Sequence, residues 1–396
     1  MQSFIDGLLE SGAFGGLPAE VIYPAVMFFF AAVVVLGFIL PLVTFTILIE
    51  RRVWSRIQSR IGPNRVGPQG LLQTLADGIK NILKEDVIPD AADRPLFAFA
   101  PYLLIWGFMA TFVVIPFSSA LIIADLNVGI LYITAIVALS AVGVLMAGWA
   151  SNNKWSLLGG IRSAAQLVSY EIPAGLSLLP IVLLTGTLST QGIIQAQGWA
   201  PWDWFAFHSP FTFLAALVFY ISALAEANRT PFDIPEAESE LVAGFTTEYS
   251  GFRFSLFPMA EWGSLYVTGA LMTVLFLGGW QIPTGWTNNA VLLNVAQFTV
   301  FFFKAYFWVF IAMWIRGTLP RIRVDQMMSL CWKYLVPISF VNLIGTAVWM
   351  VIWPEGNQFV PYLMLLGTLA VSVIFFRRVL YHLRRAKPEL YFNPAI

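Results

Sequence analysis

The feature that most constrains this chain is a succession of apolar runs, each at least 18 residues long, separated by segments that hold almost all of its charge. A helix rises about 1.5 Å per residue and a bilayer's hydrocarbon core is about 30 Å thick, so such runs have the length of membrane crossings. Nine are read, at residues 22–49, 97–124, 129–150, 164–187, 210–227, 258–279, 292–315, 330–353 and 359–376. Backbone polar groups in lipid need internal partners, which leaves helices or closed barrels. A barrel would alternate polar and apolar residues over segments of about ten, and these runs do not. The expectation is an all-α integral membrane protein with about nine transmembrane helices. At 58% hydrophobic and 11% charged residues, the chain is too apolar for an ordinary water-soluble domain. Its opening, MQSFIDGLLESG, has no basic residue ahead of the first run, unlike a secretory leader.

Lys and Arg are retained on the cytoplasmic or matrix side of a membrane. With the N-terminus outside, 21 of the 22 basic residues fall in inner segments, at 50–97, 151–163, 228–257, 316–333 and 377–396. The exception is Lys304, inside the seventh run. An outer N-terminus and an inner C-terminus are therefore expected. The longest outer segment, about 188–209, is rich in Gln, Gly and Trp, which suits a headgroup boundary and suggests no chemistry.

Cys331 is the only cysteine, and His208 and His382 are far apart. A disulfide within the chain is excluded, and there is no ligand set for a Cys-held iron–sulfur cluster or a Cys/His zinc site. Neither a dinucleotide-binding GxGxxG opening nor a P-loop occurs. Cys331 reads as a small apolar residue at a helix end. If the chain serves redox chemistry, another subunit must bring the electrons.

The first inner segment reads ERRVWSRIQSRIGPNRVGPQG from Glu50 to Gly70, then LLQTLADGIKNILKED. In the latter, Leu71, Leu72, Leu75, Ile79, Ile82 and Leu83 share one helical face, with Gln73, Asp77, Lys80 and Lys84 opposite. That pattern predicts an amphipathic helix lying in the membrane interface or against a partner. Pro63, Pro68 and the glycines of GPNRVGPQG predict a fixed turn. On charge alone, Arg51, Arg52, Arg56, Arg60 and Arg65 fit ordinary membrane anchoring.

Glu171 is expected about seven residues inside the fourth run, roughly 10 Å deep at helical rise. A charged residue near a helix centre costs about 2.5–3.5 kcal/mol on insertion scales, so it is usually paired or functional. Pro173 follows, and its missing N–H leaves the Ser169 carbonyl without a helical donor. Glu226 ends the fifth run, and Glu261 lies near the inner end of the sixth. The loop between these runs adds Asp233, Glu236, Glu238, Glu240 and Glu248, against only Arg229 and Arg253. Asp233 with Glu236 resembles a capping pair, predicting a short helix from Asp233 to near Gly244 with Glu236 and Glu240 on one face.

A hydrated acidic loop is the simplest account of this charge. Against it, the series continues from the loop into three separate runs, and carboxylates crowded in partly dry surroundings cannot all ionise. Such chains mark proton relays. A proton-coupled transporter would show paired halves with matching interrupted helices, but the Glu-Ile-Pro break at 171–173 has no counterpart in the second half. The other class is a membrane subunit of an energy-converting redox complex.

Four stretches, ERRVWSRIQSRIGPNRVGPQGLLQTLADGIKNILKED, GGIRSAAQLVSYEIPAGL, AEANRTPFDIPEAESELVAGFTTEYSG and FPMAEW, closely resemble one family, the quinone-site membrane-arm subunits of proton-pumping NADH:quinone oxidoreductase, respiratory complex I. They stand in family order over about residues 20–350. The resemblance implies a chain that forms the membrane side of a quinone tunnel and takes part in proton translocation. The substrate would be a quinone, with ubiquinone favoured. NADH, FMN and the iron–sulfur clusters would belong to partner subunits, with no flavin, cluster or metal on this chain and no nucleic acid partner. Partners would be the peripheral quinone-site subunits, including the one with the terminal cluster, and small and antiporter-like membrane subunits. Carried over, Arg51, Arg60, Asp77 and Arg229 would lie at or near the quinone cavity. Glu171, Glu226, Asp233, Glu236, Glu238 and Glu261 would form the proton relay, with Arg229 as local counter-charge. The membrane would be a bacterial plasma membrane or a mitochondrial inner membrane. The membrane subunits of energy-converting hydrogenases and formate hydrogenlyase are the nearest alternative. Residues 1–353 would form the family domain, and 354–396 an extension with a ninth span and a basic tail.

Overall fold

The computed structural model describes residues 35–385, apart from 236–237, 284, 286, 288 and 354–358. The first part of the 22–49 run, Glu236 and the side chain of Glu238 lie outside the described residues. Among those described, regular structure is helical throughout. A π turn (Val35–Ile39) leads into α1 (Leu40–Ile57), followed by α2 (Gln73–Leu83), α3 (Arg94–Thr111), α4 (Gly129–Ala150) and α5 (Lys154–Thr185). Then come α6 (Pro210–Glu226), α7 (Gly251–Phe276), α8 (Ala290–Thr318), α9 (Val324–Ile352, π-helical over Leu330–Leu335) and α10 (Phe359–Arg385). Helices α4, α5, α8 and α9 are long and apolar enough to cross a membrane, and α6 and the Phe359–Phe375 part of α10 are shorter apolar helices.

Helix α5 is central and packs against α4, α6 and α9, while α7 packs against α3 and α8. Small residues permit the closest approach: a Cβ on Gly148 of α4 would stand 3.1 Å from the Gly160 Cα of α5. Helix α10 lies beside this bundle, with Tyr362 stacked on Trp202 at 5.8 Å and Phe375 5.7 Å from Trp314 of α8. Lys304, the charge that the positive-inside pattern leaves over, is used at the end of α7. Its ammonium donates to the carbonyls of Leu277 (2.8 Å) and Gly279 (3.1 Å) and lies 4.6 Å from the Trp204 ring centre.

Two expected boundaries change. The second apolar run, 97–124, is helical only to Thr111. Beyond it the chain folds back, with the Phe117 N–H on the Leu121 carbonyl and the Ala124 N–H on that of Val113. Pro116 has no N–H for a helix, and Ser118 and the Ser119 amide find partners in Asn294 (2.9 Å) and Gln297 (3.0 Å) of α8. Hydropathy does not register this, because the turn is apolar and satisfied from a distant helix. The fourth run begins ten residues earlier than expected, at Lys154, where Asn153 caps the helix by accepting from the Trp155 N–H. Glu171 therefore stands near the middle of a 32-residue helix, rather than two turns inside its start.

The GPNRVGPQG stretch is a fixed turn. The Leu72 N–H bonds the Val66 carbonyl, Arg52 donates to the Gln69 carbonyl, and Gly67 and Gly70 both have φ of 72°. A Cβ on Gly70 would overlap the Pro63 carbonyl. Gly70→Ala is expected to destabilise this loop by about 1–3 kcal/mol, because strain and overlap act together. Limited proteolysis of the assembled protein, read as faster cleavage within 58–72, checks it. The amphipathic helix is present as α2, and Leu75, Ile79, Ile82 and Leu83 on its apolar face are more than half exposed in this chain.

Candidate functional site

Glu171 of α5, Glu226 at the last position of α6 and Glu261 of α7 line one cavity of about 440 Å³. Its remaining walls are mostly apolar residues of α3 to α7, with a few hydroxyls such as Thr111, Ser140 and Ser264. Three carboxylates spread over ninety positions of sequence thus share one cavity. Helix geometry produces the meeting: α5 packs on α6 and α7 packs on α6, so one inward position on each helix faces the same gap.

The loop after α6 departs from expectation. Asp233 is not a helix cap; one of its oxygens accepts from Arg321 at 2.8 Å. Within 233–244 the described helix is only Glu238–Leu241, and Val242 has a φ of 65° that stops it. The acids of this loop are also less exposed to mutual repulsion than local charge counting suggests. Glu240 pairs with Arg162 at 2.6 Å, and Glu248 accepts from Asn153 at 2.6 Å. These counter-groups come from α5, from the residues just before it, and from the α8–α9 connection. The buried amide of Gln166 in α5 fixes the loop's path, donating to the carbonyls of Ala225 and Phe232 at 2.8 Å each.

Arg229 enters the protein rather than solvent. Its guanidinium lies 3.7 Å from the ring centre of Trp262, the neighbour of Glu261, and 3.9 Å from the carboxylate of Glu50. Glu50, only 5% exposed, also accepts from Arg316 of α8 at 2.5 Å, and Arg316 stacks on Trp54 one turn along α1. One buried carboxylate therefore joins α1, α8 and the loop that follows α6. On the next residue, Arg51 pairs with Asp77 of α2 at 2.5 Å, and Gln73 donates to the other Asp77 oxygen at 3.1 Å. Arg60 stands apart in the turn, bonded to Gln58 at 2.7 Å.

A family model described as NADH dehydrogenase matches residues 30–347. The chain belongs to this family. It is 51% identical to the H subunit of NADH-quinone oxidoreductase from Anaeromyxobacter dehalogenans over 349 residues, covering 84% of each chain. The protein of the same name from Chlorobium luteolum is 46% identical over 331 residues, covering 82% of this chain and 89% of its own. That of Geobacillus kaustophilus is 49% identical over 325 residues, covering 81% and 93%.

All the residues of the cavity and of the Glu50 junction lie within the segment matched by the NADH dehydrogenase family, and α10 lies beyond it. Of the sequence-predicted residues, the structure brings together Glu171, Glu226 and Glu261 as one group and Arg51 with Asp77 as another. Asp233 and Arg229 lie on the loop between α6 and α7, Asp233 against Arg321 and Arg229 against Glu50 and Trp262. Glu50, Trp262 and Gln166 were passed over by sequence reading. Glu50 looks like the first letter of a basic run, and its partners are 179 and 266 positions away. A polar residue at the end of an apolar run was the only available signal.

Cys331 also has more to do than fill space. Its thiol donates to the Ser169 carbonyl at 3.1 Å, the acceptor that Pro173 leaves without a helical donor. Helix α5 continues through Pro173 without interruption.

Proposed function

We propose that this chain is the membrane subunit of an NADH:quinone oxidoreductase that forms the membrane side of the quinone cavity and couples quinone reduction to proton translocation. The observation that carries the reading is the set of three carboxylates, one from each of three helices, around a single largely apolar cavity in a chain of this family. Glu171, Glu226 and Glu261 would exchange protons within that cavity. Their mutual repulsion makes the charge of one depend on the protonation of the next. Asp233, Glu236 and Glu238 would lie on the approach to it.

The quinone would approach from the α1–α2 side, where the paired Arg51 and Asp77 stand near the exposed apolar face of α2, with Arg60 in the adjoining turn. An isoprenoid substrate needs apolar surface for its tail and a few polar groups for its ring, and this face has both. The quinone is ubiquinone in this reading. Peripheral subunits would carry NADH, FMN and the iron–sulfur clusters, the terminal cluster among them. Small and antiporter-like subunits would continue the membrane arm. Nine spans with an outer N-terminus, in a bacterial plasma membrane, fit the charge distribution and the bacterial relatives. Residues 354–396 form an added unit whose helix, α10, is the ninth span.

Purifying the intact complex in mild detergent, identifying its subunits and measuring inhibitor-sensitive NADH:quinone reduction tests the reading, and a nickel–iron hydrogenase partner would overturn it. Within that complex, Arg60→Ala is expected to lower quinone reduction about tenfold, the effect of losing one positioned charge, while artificial-acceptor reduction at the flavin end stays within about twofold. Equal loss of both activities would instead indicate failed assembly, and unchanged quinone reduction would remove Arg60 from the quinone site.

A further inference from the structure

The connection between α8 and α9, with the first turns of α9, touches both acidic elements. At its start Arg321 donates to Asp233 at 2.8 Å, and the Ile322 N–H donates to the Pro231 carbonyl at 3.1 Å. Further on, the Met327 carbonyl accepts from the Tyr170 hydroxyl at 3.0 Å, and Cys331 donates to the Ser169 carbonyl at 3.1 Å. Tyr170, Met327 and Cys331 are all buried, and the Tyr170 ring lies 5.5 Å from that of Phe232, beside Asp233. Glu171 is the residue after Tyr170 and faces the cavity.

The chemistry of the contacts makes this more than general packing. Pro173 removes the rung of the α5 hydrogen-bond ladder that would span Glu171, from position 173 to the Ser169 carbonyl, which is where a helix can most easily bend. The rung is replaced from outside by Cys331. On the adjacent residue a second bond runs the opposite way, from α5 to α9. Cys331 itself belongs to the π-helical stretch of α9, a widened turn of the kind that marks functional positions in helices.

We propose that Arg321–Cys331 is a positioning strap. It holds the Asp233 loop and the Glu171 turn of α5 in one relation, so a displacement of the loop during quinone turnover re-aims Glu171 without contact between the two carboxylates. Tyr170 and Cys331 act through Glu171 and handle no proton themselves. The proposal rests on the reading of Glu171 as a proton-handling group.

The test uses the intact complex in sealed membrane vesicles. Tyr170→Phe, Cys331→Ala, both together, and Tyr170→Phe with Cys331→Ser are compared with Glu171→Gln. Protons moved per quinone reduced and the pH profile of quinone reduction are measured per assembled complex. Tyr170→Phe with Cys331→Ala is expected to lower pumping at least about fivefold, the factor represented by one hydrogen bond of ordinary strength, and to shift the pH profile. Serine at 331 retains a donor and is expected to restore most of the loss. Arg321→Met and Tyr170→Phe should be non-additive, as for residues acting through one element. Unchanged pumping and pH profile in the Tyr170→Phe/Cys331→Ala variant, with loss in Glu171→Gln, would overturn the strap alone. Full pumping by Glu171→Gln would overturn the reading of the site and the strap with it.

Discussion

Replacing Glu226 by glutamine is expected to lower quinone-driven proton pumping at least about tenfold, since a positioned proton-transfer group contributes about 10²–10⁴ in rate. Glutamine has nearly the same shape and keeps a hydrogen-bonding head, so the cavity and the end of α6 should persist and the complex should assemble. What is lost is a group that can change charge. Glu171→Gln should behave alike, because its carboxylate lines the same cavity as that of Glu226. The double variant should be little worse than either single one, as for groups that serve one step. Proton uptake by vesicles and NADH:quinone reductase rates, normalised to artificial-acceptor reduction, provide the measurement. Two single variants with full reductase and full pumping would remove the carboxylate set from the mechanism.

Glu50→Ala is expected to have the largest effect on assembly. The Glu50 carboxylate is almost wholly buried between Arg316 at 2.5 Å and Arg229 at 3.9 Å. Its removal leaves two cations facing each other, and breaking a buried pair on one side costs about 3–5 kcal/mol. Assembled complex on native gels should fall to a small fraction of normal. Arg316→Met should be milder, because Arg316 is partly exposed and Glu50 would retain Arg229. Glu50→Leu with Arg316→Met is expected to recover only part of the loss, since the two cations no longer face each other but Arg229 still lacks the Glu50 carboxylate. Normal assembly of Glu50→Ala would show that the junction does not hold α1, α8 and the loop together.

The strengths and failures of sequence reading follow from the range of the forces involved. Apolar runs, the α2 face and the GPNRVGPQG turn were legible because each depends on residues within a few positions. Glu171, Glu226 and Glu261 were legible because a carboxylate in an apolar run is conspicuous wherever it lies. Ion-pair partners were not. Asp233, with a caplike neighbour three residues on, suggested a local hydrogen bond, and the stronger bond to Arg321 comes from 88 positions away. The end of α3 at Thr111 was hidden for a related reason. A turn can be as apolar as a helix when side chains of α8 help satisfy its backbone.

By itself the sequence determined that the chain is built of apolar helices, which residues carry charge into them, and, through four motifs, which family it belongs to. Backbone hydrogen bonding in lipid and the cost of an isolated charge are enough for that, and both can be read locally. Only the tertiary structure decided that three of the carboxylates share one cavity, that Arg229 turns inward to Glu50 and Trp262, and that the carbonyl left over by Pro173 is met by Cys331. Those outcomes depend on which helices touch, and electrostatic and hydrogen-bonding partners are chosen by distance in space rather than along the chain.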